Sequence, residues 1–171
     1  MPPGPLTLRL PDSAATDQFG RALADAFPRV LQHCLVVFLR GELGTGKTTL
    51  VRGFLRGMGV SATVRSPTYT LIEVYEAGGL QCVHADLYRL RSAMEFEELG
   101  VRDFLSPGHV VLIEWPERGG PLLPPPDLEV GLDYAGEGRA ATVHAATDAG
   151  IAWLTNLWHD TRIAAYLSNL T

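Results

Sequence analysis

The sequence predicts an α/β fold: one domain built on a mixed parallel and antiparallel sheet flanked by helices. Three observations point there. The runs CLVVFLRG (Cys34–Gly41) and VVLIE (Val110–Glu114) are apolar almost throughout instead of alternating, as in strands buried on both faces. A glycine-rich stretch follows the first run directly and opens into a helical pattern, giving the order strand, tight loop, helix. Gly78-Gly79 and the segment Ala135–Gly138 each separate two strand-like runs. Such hairpins argue against a purely parallel sheet.

The elements follow in order. Leu6–Leu10 alternates, which suits a short strand. Ser13 is the expected N-cap of a helix whose face carries Phe19, Leu23 and Phe27 at a spacing of four, and Pro28 ends it. Cys34–Gly41 is a buried strand. KTTLVRGFLRGMG reads as a helix closed by Gly57 and Gly59. Leu71–Tyr75 and Leu80–Ala85 form the first hairpin. SAMEFEELGVRDFL supplies one or two short helices, and HVVLIEWPE another buried strand. Gly119–Pro126 is a rigid break. DLEVGLDY and RAATVHAA form the second hairpin. From Asp148, the spacing of Ile151, Leu154 and Trp158 predicts a final helix, an extension running to Thr171.

Composition narrows the function. The chain has 171 residues, of which 46% are hydrophobic, so one domain with a real core is expected. A net charge of −5 argues against unaided binding to a nucleic-acid backbone. Cys34 and Cys82 lie far apart in apolar runs and are expected to be buried thiols of a reducing compartment. Met1–Leu10 lacks a basic segment followed by an apolar core, and no run approaches the roughly 20 apolar residues that span a membrane. A cytoplasmic protein is expected.

The chemistry concentrates in GELGTGKTTL. Gly41, Glu42, Leu43, Gly44, Thr45, Gly46, Lys47 and Thr48 fit G-x-x-x-x-G-K-[ST] without a gap, between a buried strand and a helix. Glycines let the backbone curl so that N–H groups converge on a phosphate, and the helix adds its positive end. The Thr48 hydroxyl can ligate Mg²⁺. The chain has 13 arginines and a single lysine, Lys47. That position calls for a compact point charge beside the β- and γ-phosphates, where the planar fork of arginine does not fit. The expected domain is therefore of the P-loop NTPase type. A guanine reader of the form N-K-x-D needs a second lysine, so ATP is favoured over GTP.

A nucleotide site of this kind needs a carboxylate at the end of a nearby buried strand, to hold Mg²⁺ directly or through water. Glu114 ends its apolar run and is the candidate. Asp86 ends QCVHAD in the same way, and His84 shares its face. Asp86 either stands beside the γ-phosphate or makes a structural salt bridge to Arg89 or Arg91; His84 is more simply structural. Ser66–Thr70 (SPTYT) sits where a loop sensing the γ-phosphate is expected, with Thr68 as the sensor.

G-E-L-G-T-G-K-T-T, S-P-T-Y, H-A-D-L-Y-R and I-E-W-P-E, in this order and spacing, resemble the TsaE family, small P-loop ATPases of bacterial tRNA threonylcarbamoyladenosine synthesis. The resemblance is dense from Gly41 to Glu117 and looser in the flanks, and the helix from Asp148 has no counterpart in it. It implies that Gly41–Thr48, with Thr49, hold the phosphates of ATP and that Thr48 and Glu114 hold Mg²⁺. It further implies that Ser66–Tyr69 form a switch-like loop, that Asp86 is needed for turnover beside Lys47 and Glu114, and that Trp115 lies next to the nucleotide. Tyr69 stands where many members have phenylalanine. The implied partners are TsaD and TsaB, with tRNA met only through their complex. Two other readings stay open: a small-molecule kinase, with Arg89, Arg91 and Arg102 as candidate lid arginines, and a nucleotide-gated interaction module.

Overall fold

The computed structural model describes residues 4–29 and 32–168. The first three residues of the segment read for a secretory signal, and the last three of the expected C-terminal extension, lie outside them.

Among the described residues seven strands form one sheet: β1 (Leu6–Leu10), β2 (Leu35–Arg40), β3 (Ile72–Ala77), β4 (Leu80–Asp86), β5 (His109–Glu114), β6 (Leu128–Ala135) and β7 (Gly138–Ala145). Their spatial order is β1-β7-β6-β2-β5-β4-β3. The central four, β6, β2, β5 and β4, are mutually parallel. The two expected hairpins, β3–β4 and β6–β7, add the antiparallel pairs, and β1 closes the edge against β7. The mixed sheet expected from the sequence is thus present. The carboxyl ends of the parallel strands share one edge, and β2, the first of them in the chain, has both of its neighbours supplied later. This is where ligands collect in open α/β sheets.

Alternation within the buried runs divides the core. Leu35, Val37 and Leu39 face one side of the sheet, with α1 (Ser13–Asp25), α2 (Lys47–Gly57) and α4 (Asp148–Trp158). Val36, Phe38, Val111 and Ile113 face the other, with Phe96 of α3 (Ala93–Glu98) and Val101. Both faces are covered, which explains why these strands read as continuous apolar runs.

Helix α1 begins one residue earlier than the sequence suggests. Asp12, not Ser13, is the N-cap: its backbone is extended and its Oδ1 accepts from the Ala15 amide at 2.8 Å. Ser13 is already helical. Helices α1 and α2 meet backbone to backbone. A Cβ on Gly20 would come within 2.2 Å of the Leu50 carbonyl, and one on Gly53 within 2.1 Å of the Asp17 carbonyl, so larger residues would force the helices apart.

The C-terminal helix is part of the core. Its buried face is Trp153, Leu154 and Leu157, whereas the expected stripe included Ile151, which is half-buried, and Trp158, which is exposed. Trp153 stands edge-on to Phe27 at 5.0 Å, and its indole N–H donates to the Leu23 carbonyl at 2.8 Å. Of the two thiols, Cys82 is buried but Cys34 is only half-buried. Burial pushes both thiols up to about 12. Among the described residues no helix is long and apolar enough to cross a membrane.

Candidate functional site

A cavity of about 310 Å³ opens at the carboxyl ends of β2, β4 and β5. Lys47, Thr48, Ser66, Asp86, Glu114 and Trp115 are among its lining residues. These come from four separate stretches of sequence, brought together by strand register: Leu39 of β2 is level with Glu114, and Glu114 is level with Asp86.

The loop Gly41–Thr48 wraps the end of β2. Gly44 and Gly46 have φ of +77° and +102°, conformations that side chains rarely adopt. Lys47 is buried, and its Nζ donates to the carbonyls of Gly41 at 2.5 Å and Glu42 at 2.8 Å. It also lies 4.5 Å from the centre of the Trp115 ring. Desolvation lowers the Lys47 pKa, and the nearby carboxylates of Glu114, Asp86, Glu117 and Glu42 oppose that shift. Thr45 is buried, its hydroxyl donating to the Glu42 carbonyl at 2.9 Å. The Glu42 side chain is exposed, so this residue contributes through its backbone.

Glu114 is buried at the end of β5. Its Oε1 accepts from the Thr48 hydroxyl at 2.9 Å and meets His84 Nε2 at 2.8 Å. Asp86 accepts from the Tyr88 amide at 3.0 Å and the Ser66 hydroxyl at 3.3 Å. Burial raises the Asp86 pKa, and the negative charge of Glu114 raises it further. Among the described residues Asp86 pairs with neither Arg89 nor Arg91, so the salt-bridge alternative is not realised. Arg89 instead lies over Tyr69 at 5.7 Å, and Arg102 pairs with Glu97 at 3.0 Å. Among the described residues no arginine lines the 310 Å³ cavity.

Within SPTYT it is Ser66 that faces this cavity. Thr68 lines a small neighbouring hollow, and its hydroxyl donates to the Ser66 carbonyl at 3.4 Å. Two non-glycine residues have positive φ among the described residues, Leu71 at +61° and Trp115 at +57°. Trp115 directly follows Glu114. The Leu71 carbonyl accepts the Asp86 amide at 2.9 Å. Strained backbone thus flanks both carboxylates, a feature that concentrates at functional sites.

Sequence reasoning missed the β6–β7 hairpin as a support. β2 ends at Arg40, level with Gly131, but β6 continues to Ala135 and runs beside the loop. The Tyr134 hydroxyl donates to the Leu43 carbonyl at 2.5 Å, and Arg139 Nη2 donates to the Gly44 carbonyl at 2.9 Å. The guanidinium stacks 4.4 Å over the Tyr134 ring. Both bonds hold loop carbonyls from outside. A second cavity, about 160 Å³, lies on the other side of Gly44–Gly46; Asp12, Thr16, Thr49 and Arg139 help to line it.

The donors suit a hard divalent cation. A hydroxyl and a carboxylate offer oxygen only, and among the described residues no three His, Cys, Asp or Glu side chains form a cage. Mg²⁺ commonly takes one or two protein oxygens and completes its shell with phosphates and water.

Comparisons with known proteins agree with one another. The family model described as "Threonylcarbamoyl adenosine biosynthesis protein TsaE" matches residues 10–141. The Haemophilus influenzae "tRNA threonylcarbamoyladenosine biosynthesis protein TsaE" is 40% identical over 146 residues, 85% of this chain and 92% of that protein. A protein of the same name from Synechocystis sp. is 40% identical over 113 residues, 64% of this chain and 69% of its own. The crystal structure of Bacillus subtilis YdiB superposes with a TM-score of 0.73 at 29% identity, covering 91% of this chain and 95% of that one.

Proposed function

The chain belongs to the TsaE family, and from that premise we propose that it is an ATPase serving tRNA threonylcarbamoyladenosine biosynthesis. It binds ATP with Mg²⁺ at the Gly41–Thr48 loop, hydrolyses it, and acts through a complex of TsaD and TsaB instead of carrying the modification chemistry itself. The observation that carries this reading is the 2.9 Å bond from Thr48 to Glu114, formed where a glycine-rich strand-to-helix loop meets the end of the neighbouring parallel strand. The loop brings amides and the positive end of α2, and the strand brings a carboxylate.

In this reading Lys47 exchanges its two loop carbonyls for oxygens of the β- and γ-phosphates. Thr48 and Glu114 would hold Mg²⁺, which would supply positive charge beside the phosphates. Asp86, opposite Glu114 in register, accepts a hydrogen from the attacking water and aims its oxygen at the γ-phosphorus. The bond from γ-phosphorus to the bridging oxygen breaks as the water oxygen forms the new one; the bridging oxygen leaves on ADP, and the water's proton passes to Asp86 and then to the released phosphate. Trp115 and Tyr88, their ring centres 4.9 Å apart and their planes tilted by 46°, form one wall of the site. The nucleoside extends past Gly46 toward the second cavity.

Calorimetry with ATP and GTP, each with Mg²⁺ and with a chelator, tests the proposal. ATP should bind in preference to GTP and more tightly with the metal. Absence of nucleotide binding, or no preference for ATP, would overturn it.

A further inference from the structure

We infer that His84 is a positioning residue for the metal side of the site: its Nε2–H holds the Glu114 carboxylate in the orientation that meets Thr48. The inference rests on the Mg²⁺–nucleotide reading above and deepens it.

His84 has no solvent exposure, and its Nε2 lies 2.8 Å from Glu114 Oε1. The same oxygen accepts the Thr48 hydroxyl. One carboxylate oxygen is therefore gripped from two directions, by β4 through His84 and by α2 through Thr48. Glu114 Oε2 has no protein partner among the described residues and is the oxygen left for the cavity. A threonine hydroxyl can donate its hydrogen to a carboxylate and still give a lone pair to a cation. Metal binding thus leaves both grips in place.

The geometry also assigns the tautomer. His84 Nδ1 is buried without a partner. A hydrogen on Nδ1 would be a buried, unpaired donor, while bare Nε2 would set its lone pair against the carboxylate oxygen. A hydrogen on Nε2 makes a charge-assisted bond to the carboxylate and leaves Nδ1 as an unpaired acceptor instead of an unpaired donor, so this tautomer carries the smaller cost. Without it, Glu114 would keep a single donor, on a hydroxyl that rotates freely. The carboxylate would then sample orientations that turn Oε2 away from the cavity. His84 and Asp86 lie on one face of one strand, so the element that carries the second carboxylate also fixes the first.

Mere space-filling by His84 predicts something different. Substituting a partner that orients a metal ligand typically weakens metal affinity by about 10- to 100-fold, and it should leave metal-free nucleotide binding alone. The test is calorimetry of ATP with Mg²⁺ and with a chelator, for the full chain and for His84→Phe and His84→Gln. Glutamine presents an amide N–H near the position of Nε2; phenylalanine fills the space and donates nothing. The expected result is metal-free affinity within about twofold in all three proteins. The tightening by Mg²⁺ should fall by about tenfold or more in His84→Phe and largely return in His84→Gln. Nitrogen-15 histidine spectra of the unsubstituted protein should show the Nε2–H tautomer, and this holds as a test even where His84→Phe fails to fold.

Full Mg²⁺ tightening in His84→Phe, or an Nδ1–H tautomer, overturns the inference while leaving the nucleotide site intact. Equal loss of metal-free binding in both variants makes His84 a packing residue and overturns it too. Absence of any Mg²⁺ effect in the unsubstituted protein overturns the Mg²⁺–nucleotide reading itself, and this inference with it.

Discussion

Lys47 shows how one position constrains a residue type. Its side chain is buried, with the ammonium held on two loop carbonyls and 4.5 Å from the centre of the Trp115 ring, a set of contacts that suits a compact point charge. Lys47→Arg keeps the charge and changes the shape. It is expected to weaken ATP binding by at least about tenfold, roughly 1.4 kcal/mol, with the thermal midpoint nearly unchanged; near-normal affinity by calorimetry would contradict this. Asp86 allows a second prediction. Burial and Glu114 raise its pKa in the folded protein. A raised acid penalises folding only once it is charged. The penalty is therefore absent below its ordinary value of 3.8, grows as pH rises, and is complete above the folded pKa. Asp86→Asn should raise the thermal midpoint of the unliganded protein at pH 7 and lose that advantage on acidification toward pH 4, while abolishing turnover. A lower midpoint at pH 7 would show that the carboxylate is stabilising instead. Lys47 was legible through the G-x-x-x-x-G-K-[ST] spacing, and Glu114 and Asp86 because each ends a buried run where a charge needs a reason; all three line one cavity. Tyr134 and Arg139 were not, since nothing local says that β6 outruns β2 and reaches the loop.

At the level of elements, the strand–loop–helix unit and both hairpins could be read because their signals lie within a few residues. The face of α4 could not. Ile151, Leu154 and Trp158 share helical spacing, but so do Trp153, Leu154 and Leu157, in a helix that is apolar on most sides. Only packing decides between the two stripes, and Phe27 and Phe54 receive Trp153 at 5.0 and 6.1 Å. Asn156 adds a bond to the Ala26 carbonyl at 3.1 Å, so α4 fastens the end of α1. The C-terminal helix, expected from the sequence as an extension, is packed against the core. Trp153→Ala should destabilise the protein by about 3–5 kcal/mol, as for other large buried aromatics. Denaturant unfolding measures it, and a loss under about 1 kcal/mol would mean that α4 is dispensable.

The whole molecule gathers the Thr48 and Ser66 hydroxyls, the Lys47 ammonium and the carboxylates of Asp86 and Glu114 at the carboxyl edge of its parallel strands. Among the described residues no arginine lines that cavity. The nearby candidates are engaged elsewhere: Arg89 over Tyr69, Arg118 over Tyr88, Arg139 over Tyr134 and on the Gly44 carbonyl. Phosphoryl transfer needs positive charge around the moving group, and a cation given by a partner is worth about a thousandfold or more in related chemistry. A chain with a net charge of −5 is also poorly suited to hold tRNA by itself. Both features favour a nucleotide cycle completed by partners, which the proposal takes to be TsaD and TsaB. The most direct measurement is steady-state phosphate release from ATP by this protein alone and with purified TsaD and TsaB, with Asp86→Ala as the control. Slow release alone, acceleration of at least about tenfold by the pair, and no acceleration in Asp86→Ala are predicted. Full activity in isolation, unchanged by the partners, would contradict the account.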